Sequence, residues 1–373
     1  MSIRKISLWF LLILLLGLAG GAVALWHYIT REAEPVLTPL SAEYSDAPQM
    51  PEKTHGIKLT PLELRGYDGQ PLPVCIAERN PEEETTRQIA LSTELASNPA
   101  PELRYVDYVL VAAEWDHGIR TALPLVEELT AAGLRCVVWE PRALNNARRY
   151  CTHGLRESRD VPLIIDALQQ REPDRELTII GLGRGFGAGM LLQAAAAEPR
   201  LRGLVAIDAY RSLRSSIQRL MPDTLLSSVT LALLDLRIKN CIGIESFDVA
   251  PVDSAANIPR STPVLILNLE QDNPTRTLDD AIGIYRQLPS DCREVWTLRS
   301  PDDPPGAESR TCTYTHRSGK DIVRDTINIR LLPDIERAMP SIIRWMNDSM
   351  IPAIRAPRIP TPSIPTPGIA ARH

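Results

Sequence analysis

The stretch that decides the fold is residues 177–190, which read LTIIGLGRGFGAGM. Its first six residues are mostly apolar, as in a short buried strand, and its last part is apolar enough for a buried helix. A glycine occurs at every second position from Gly181 to Gly189. Because glycine tolerates strained backbone angles and close packing, the pattern predicts a strand over 177–182, a sharp turn, and a helix over 187–198.

The same alternation continues on both sides of this stretch. Five further apolar runs of strand length occur, at residues 106–113, 134–140, 203–208, 263–269 and 293–298. Further helices are predicted at residues 121–132, 156–170 and 332–347. Apolar strands that alternate with helices are typical of a mostly parallel sheet covered on both faces, so the predicted fold class is α/β. Before this unit, residues 57–77 predict a β-hairpin that turns at Asp68-Gly69.

The amino-terminal segment differs from the rest of the chain. Residues 8–26 form an apolar run about as long as a membrane-spanning helix needs, and the basic Arg4 and Lys5 precede it. We predict a single-pass transmembrane helix with the folded domain on the extracytoplasmic side, because positive residues stay inside. The alternative is a cleaved signal and a secreted protein, since Ala22-Val-Ala24 has the small residues that cleavage requires.

Changes in composition divide the chain into segments. The predicted segments are an anchor or signal over residues 1–29, a linker over 30–51, a folded domain over 52–348 and a proline-rich tail over 349–373. A mostly helical insertion at about residues 210–244 interrupts the alternation. Residues 225–236 within it are apolar enough to cover a crevice, and contact with the membrane surface or with another protomer is the alternative.

Charge and residue counts exclude several functions. The net charge is −5, which argues against nucleic acid as a partner because phosphate binding needs a basic face. The six histidines are scattered without ligand spacing, so we expect no metal site and no cofactor. The six cysteines allow one or two disulfides outside the cytoplasm. We prefer the pair Cys292 and Cys312, and expect Cys136 to be a buried free thiol.

Several segments together resemble the α/β-hydrolase superfamily, in particular its dienelactone-hydrolase-like and serine-aminopeptidase-like members. They are the Asp68-Gly69 hairpin, AAGL at 131–134 before WEPR at 139–142, YCTHGLRESRD at 150–160, and VAPVDSAANI at 249–258. The resemblance covers roughly residues 55–346. It implies helices on both faces of the sheet, a helical lid, and ester or peptide hydrolysis by serine, histidine and an acid.

The nucleophile that this resemblance implies is missing. In the family, the serine of a G-x-S-x-G motif stands on a sharp strand-to-helix turn. The matching residues here are GLGRG at 181–185, so Gly183 occupies the serine position. A shift of the frame onto Gly185 restores no nucleophile, because no serine, threonine or cysteine lies between Ile179 and Gln193.

The other catalytic positions match the family only in part. The resemblance implies Asp272 as the acid and His316 as a weak candidate for the base, and solvated loop positions explain both residues as well. An alanine followed by Glu114 replaces the expected oxyanion-hole segment, or the segment is displaced to His117-Gly118. Arg184, Glu114 and Asp208 are candidate binding residues, because ligands bind at the carboxyl ends of parallel strands. Arg184 can hold a carboxylate or phosphate there, or pair with Asp208 or Asp272.

The same glycines also support a rival interpretation. GRGFGA at 183–188 fits the G-x-G-x-x-A fingerprint of a dinucleotide-binding turn, and Asp208 stands where a ribose-binding acid belongs. Two strands and two helices come before this unit, whereas a dinucleotide-binding unit normally opens its domain. Dinucleotide binding therefore stays a second alternative.

Two functions from different classes are open at this point. The first is a membrane-anchored, catalytically degenerate hydrolase-like protein, in effect a pseudoenzyme, that binds a small molecule, peptide or protein. The second is an active serine-type hydrolase with a rearranged site and a nucleophile from elsewhere in the chain. Ser212, Ser215 and Ser216 in the insertion are candidate nucleophiles, although helix capping explains them too.

Overall fold

The computed structural model describes residues 56–97, 99–112, 119–140, 151–220, 227–244, 248–269, 277–318, 321–335 and 337–356, and residues 21, 23, 26, 27 and 31. Ten strands occur in these ranges: β1 (Ile57–Arg65), β2 (Pro71–Arg79), β3 (Tyr108–Ala112), β4 (Cys136–Trp139), β5 (Ile179–Arg184), β6 (Leu201–Ile207), β7 (Val264–Asn268), β8 (Arg293–Leu298), β9 (Ser309–Ser318) and β10 (Asp321–Leu332). They form one sheet in the order β1-β2-β4-β3-β5-β6-β7-β8-β10-β9.

The centre of this sheet is parallel and its edges are antiparallel. Each neighbouring pair from β4 through β3, β5, β6 and β7 to β8 is parallel. The β1–β2 hairpin joins β4 in antiparallel pairing at one end. The β9–β10 hairpin closes the other end, where β10 pairs with β8 through residues 330–332. The predicted mostly parallel α/β sheet and its opening hairpin are therefore confirmed.

Helices cover both faces of the sheet. They are α1 (Thr86–Ser97), α2 (Ile119–Ala131), α3 (Asp160–Arg171), α4 (Phe186–Ala197), α5 (Leu213–Leu220), α6 (Ser227–Ile242), α7 (Pro251–Ala255), α8 (Leu278–Gln287), α9 (Ala338–Trp345) and α10 (Ile351–Arg355). Helices α3, α4 and α8 form a core with one face, and α1, α2, α9 and α10 form a core with the other. Strand side chains alternate between these cores, so neighbours such as Ile179 and Ile180 point to opposite faces.

The insertion after β6 has an apolar cluster of its own. The cluster joins Tyr210 to the inner faces of α5 and α6 through Leu213, Ile217, Leu231, Leu234 and Ile238. The hydroxyl of Tyr210 donates a 2.7 Å hydrogen bond to the carbonyl of His153 in the main domain. The insertion is thus helical, as predicted, and starts at the carboxyl edge of the sheet. Its role as a lid stays a prediction.

The structure corrects the predicted disulfide. All six cysteines are free thiols. Cys292 packs in the core with α9, whereas Cys312 packs against the core on the opposite face. The two preferred partners therefore belong to different sides of the sheet. Cys136 is fully buried in β4, as expected for a free thiol.

The carboxyl-terminal part of the described chain differs from the prediction in two ways. The last helix continues beyond α9 through a π-helical turn, Met346–Met350, into α10, so any tail begins after residue 355 rather than at 349. The β9–β10 hairpin was not predicted, because its strands lack the fully apolar runs by which the central strands were recognised.

The predicted membrane span lies largely outside the described residues. Gly21, Val23, Trp26, His27 and Arg31 are helical. Across the ranges given above, no helix combines the length and apolar character needed to cross a bilayer.

Candidate functional site

A single residue, Gly185, connects β5 to α4. Its backbone angles are φ +53° and ψ −113°, which glycine adopts far more readily than other residues. Its N–H donates to the carbonyl of Ile207 at 2.8 Å, and its carbonyl accepts from the N–H of Gly189 at 3.1 Å. This fixed, sharp strand-to-helix turn has the form of a nucleophile elbow.

Gly183 lies inside β5 and not on this turn. A Cβ atom at Gly183 would lie 2.6 Å from the backbone nitrogen of Ala188 and 2.6 Å from the backbone of Gly187. Gly183 thus permits α4 to pack closely on β5. The residue on the turn is therefore Gly185 and not Gly183, the residue matched to the family's serine in the sequence, and Gly185 has no side chain either.

Charged residues stand at the carboxyl ends of three central strands. One residue of β4 and one residue of β5 pair with Val111 of β3, which lies between them. Glu140 and Arg184 each come two residues after these partners, so they lie level with each other on either side of β3. Two strand spacings separate their Cα atoms by about 10 Å. Asp208 follows β6, and its Oδ2 lies 3.6 Å from Nε of Arg184. The predicted site residues Arg184 and Asp208 therefore meet, and the predicted pairing between them is confirmed.

Asp208 joins the carboxyl end of β6 to the end of β7. It is buried and has a positive φ of 52°. Its Oδ1 accepts a 2.6 Å hydrogen bond from the N–H of Leu269, and its own N–H donates to the carbonyl of Leu267 at 2.8 Å. Its side chain is fully buried, whereas that of Arg184 is 37% exposed. Asp208 thus positions Arg184, whose guanidinium is the accessible member of the pair.

Glu140 is a candidate site residue that sequence reasoning did not single out. It is 6% exposed, and its Oε2 accepts a 3.2 Å hydrogen bond from the N–H of Ile119 at the start of α2. Burial raises the pKa of its carboxyl from 4.5 to about 7, although the Ile119 hydrogen bond acts in the opposite direction. A carboxyl that titrates near neutrality is a candidate proton donor or acceptor. The sequence feature that could have identified Glu140 is its position directly after a fully apolar strand.

A strained turn beside the elbow was also missed. His153 has a positive φ of 51°, and its ring lies edge-on to that of Phe186, with 6.5 Å between centroids. Buried Glu157 holds this turn by accepting from the N–H groups of Thr152 (2.9 Å) and Gly154 (3.0 Å). Its other contact is the Thr152 hydroxyl at 2.5 Å. Because strained non-glycine residues cluster at functional sites, His153 joins the candidate site.

We expect Glu157→Gln to destabilise the protein. An amide group in place of one carboxylate oxygen leaves a buried N–H or hydroxyl without its acceptor, at a cost of about 1–3 kcal/mol in the free energy of unfolding. Urea denaturation in mild detergent measures this loss. The control is Glu176→Gln, since the side chain of Glu176 is 80% exposed. Equal stability of the two variants would contradict the proposed role of Glu157.

The remaining predicted site residues are not brought to the elbow. Asp272 and Glu114 lie outside the described residues. His316 lies in β9 and pairs with Val323 of β10. Val323 comes seven residues before Arg330, the residue at which β10 begins to pair with β8. About 23 Å of strand separates His316 from that junction. His316 is therefore on an edge strand and not in a loop after the last parallel strand, where the family's base belongs.

Ser212 caps the first turn of α5, and Ser215 and Ser216 bond back to its carbonyl. The N–H of Ser215 donates to Oγ of Ser212 at 3.2 Å, and the hydroxyls of Ser215 and Ser216 donate to the Ser212 carbonyl. The capping interpretation is thus supported for Ser212. No group of three or more histidine, cysteine or acidic residues in the described part of the chain is arranged to hold a metal ion.

Comparison with solved structures identifies the architecture. An esterase from Pyrococcus furiosus superposes with a TM-score of 0.50 at 10% identity, covering 82% of this chain and 99% of its own. A bacterial brefeldin A esterase gives a TM-score of 0.43 at 14% identity, covering 67% of this chain and 71% of its own. An acylaminoacyl peptidase from Pyrococcus horikoshii gives 0.43 at 16% identity, covering 65% of this chain and 37% of its own. No protein-family model and no curated protein sequence matches the chain. The sheet order, the elbow and the superposition on the Pyrococcus furiosus esterase together show that the chain has the α/β-hydrolase fold.

Proposed function

We propose that this protein is a membrane-anchored α/β-hydrolase-fold protein that binds a small molecule, peptide or protein without forming an acyl-enzyme. The observation that carries the proposal is Gly185, which stands on the elbow and has no side chain. An acyl-enzyme needs a hydroxyl or thiol at that point, within reach of a base. The sequence offers no histidine in residues 299–308 or 333–337, which follow β8 and β10.

We place the ligand in a crevice at the carboxyl ends of the central strands, where Arg184 gives a preference for anionic groups. Its partly exposed guanidinium is held in place by buried Asp208, and a preorganised guanidinium binds a carboxylate or phosphate through paired hydrogen bonds. Glu140 on the same edge is protonated in part near neutral pH and can then donate a hydrogen bond to such a group. A ligand with a carboxylate, such as a peptide carboxyl terminus, fits this pair best.

A fluorophosphonate probe tests the absence of a nucleophile. The full-length protein is expected to stay unlabelled under conditions in which an active serine hydrolase labels completely, because no activated serine is available at the elbow. Mass spectrometry of the intact chain measures the adduct. Heat-denatured protein serves as the background control. Covalent labelling of any serine in the folded protein would overturn the proposal in favour of an active hydrolase with a rearranged site.

Gly185→Ser provides the complementary test. The variant restores the G-x-S-x-G spacing at the corrected position, and Gly185→Ala is its matched control for backbone strain. We expect no labelling of the serine variant, since no histidine occurs in residues 299–308 or 333–337 to act as its base. Labelling would instead show that the rest of a catalytic site survives.

Dinucleotide binding has less support than ligand binding at Arg184. A ribose-binding acid needs carboxylate oxygens that face the ligand. Those of Asp208 face the Leu269 N–H and Arg184. The fingerprint glycines are explained by the elbow at Gly185 and the close strand-to-helix contact at Gly183.

A further inference from the structure

Helix α6 of the insertion has apolar residues on two opposite faces. Leu231, Leu234 and Ile238 face the interior of the insertion. Val229 and Leu236, seven residues apart and therefore on one face, are 50% and 49% exposed. Ala232 is exposed and Leu233 half-buried on the same outer side. We call the four residues Val229, Ala232, Leu233 and Leu236 the outer stripe.

The amino-terminal segment contacts this helix. The guanidinium of Arg237 lies over the ring of Trp26, 5.7 Å from its centroid, within the range of a cation–π interaction. Trp26 ends the apolar run at residues 8–26 and is 49% exposed, while Val23, three residues earlier, is 69% exposed. A tryptophan at the end of a membrane span lies at headgroup depth. Through this contact, α6 is held at the same level as the end of the predicted anchor.

Basic residues flank the outer stripe. Arg237 lies on one side of it and Lys239 on the other, at helical angles of about 80° from the stripe centre. An apolar face bordered by arginine and lysine is the arrangement of a helix that lies in the membrane interface. The stripe also covers too few residues to span a bilayer, so it fits the surface of a membrane and not its interior.

We propose that α6 rests on the membrane surface, with its outer stripe in the headgroup and acyl-chain boundary and Arg237 and Lys239 among the headgroups. The proposal rests on the membrane anchor of the proposed function. It fixes the orientation of the domain: the insertion faces the bilayer, and the crevice below it opens close to the membrane. The occupant of the stripe is lipid, and a second copy of the chain is the competing occupant.

A fluorescent residue at position 236 tests this orientation in the full-length protein. An environment-sensitive fluorescent amino acid is introduced there, and the protein is reconstituted into vesicles of phosphatidylcholine and phosphatidylglycerol, with and without brominated acyl chains. Because an interfacial helix sinks about 5–10 Å into the boundary, we expect the brominated lipids to lower its emission roughly twofold. The same probe at position 240, on the same exposed side of α6, is expected to respond in the same direction.

The control places the probe at Ile89 of α1, which is 51% exposed but belongs to the main domain. Its emission is expected to be unchanged by bromination. Emission at 236 that is equally unchanged would overturn the proposal, and a blue shift at 236 without quenching would assign the stripe to a second protomer. Carbonate extraction of the same vesicles distinguishes a failure of the membrane anchor from a failure of the α6 contact. Protein released by carbonate contradicts the anchor itself, whereas retained protein without quenching contradicts only the contact of α6.

Discussion

Replacing Gly183 with alanine is expected to lower the free energy of unfolding by about 3 kcal/mol or more, or to prevent folding altogether. The new Cβ would lie 2.6 Å from backbone atoms of Gly187 and Ala188. Backbone atoms at the start of a buried helix cannot move aside as a flexible side chain can. The β5–α4 contact would have to open, and with it the elbow at Gly185. Urea denaturation followed by circular dichroism, in mild detergent, measures the loss.

Gly181→Ala is the matched control for this variant. Gly181 lies two residues earlier in the same strand and is equally buried. The atoms nearest to its Cβ would be methyl groups, those of Leu204 at 3.1 Å and Leu191 at 3.2 Å, which can shift. We expect a cost of about 1 kcal/mol there. If the two variants lose equal stability, Gly183 is not specifically required for the close approach of α4 to β5.

The alternation of strands and helices was readable from the sequence because the central strands are apolar along their whole length. A strand that is apolar along its whole length must be buried on both faces, as in a sheet that helices cover on both sides. Strand β8 (Arg293–Leu298) was predicted at its observed bounds, and β5 was placed within two residues of its start and end. The β9–β10 hairpin escaped prediction because it packs on one side only and leaves the other side exposed.

The candidate site was predictable only in part. The glycine pattern located the elbow, but alternate glycines fit two frames, and only the positive φ of Gly185 separates them. Arg184 and Asp208 were identified because they follow strands whose ends meet. Glu140 and His153 were not, because their importance depends on burial and on contacts with α2 and Phe186 that sequence spacing does not reveal.

Glu140→Gln is expected to remove a pH dependence of stability. Burial raises the pKa of the Glu140 carboxyl from 4.5 to about 7. The folded protein therefore binds more protons than the unfolded chain between these values, and the free energy of unfolding falls as pH rises. The stabilising effect is fully present below about pH 4.5 and lost as pH passes about 7, a total of about 3 kcal/mol. Urea midpoints across this interval measure it.

The glutamine variant stays neutral, so its stability relative to the wild type should grow with pH. Near pH 4 the two proteins are expected to be about equally stable, and near pH 8 the variant should be more stable by up to about 3 kcal/mol. Glu172→Gln is the control of opposite sign. The Tyr108 hydroxyl and two arginines lower the pKa of Glu172 to about 2, so its contribution is lost as pH falls and not as it rises. A Glu140→Gln curve parallel to that of the wild type would mean that the carboxyl ionises normally. It would then have no proton to donate at the crevice edge near neutral pH.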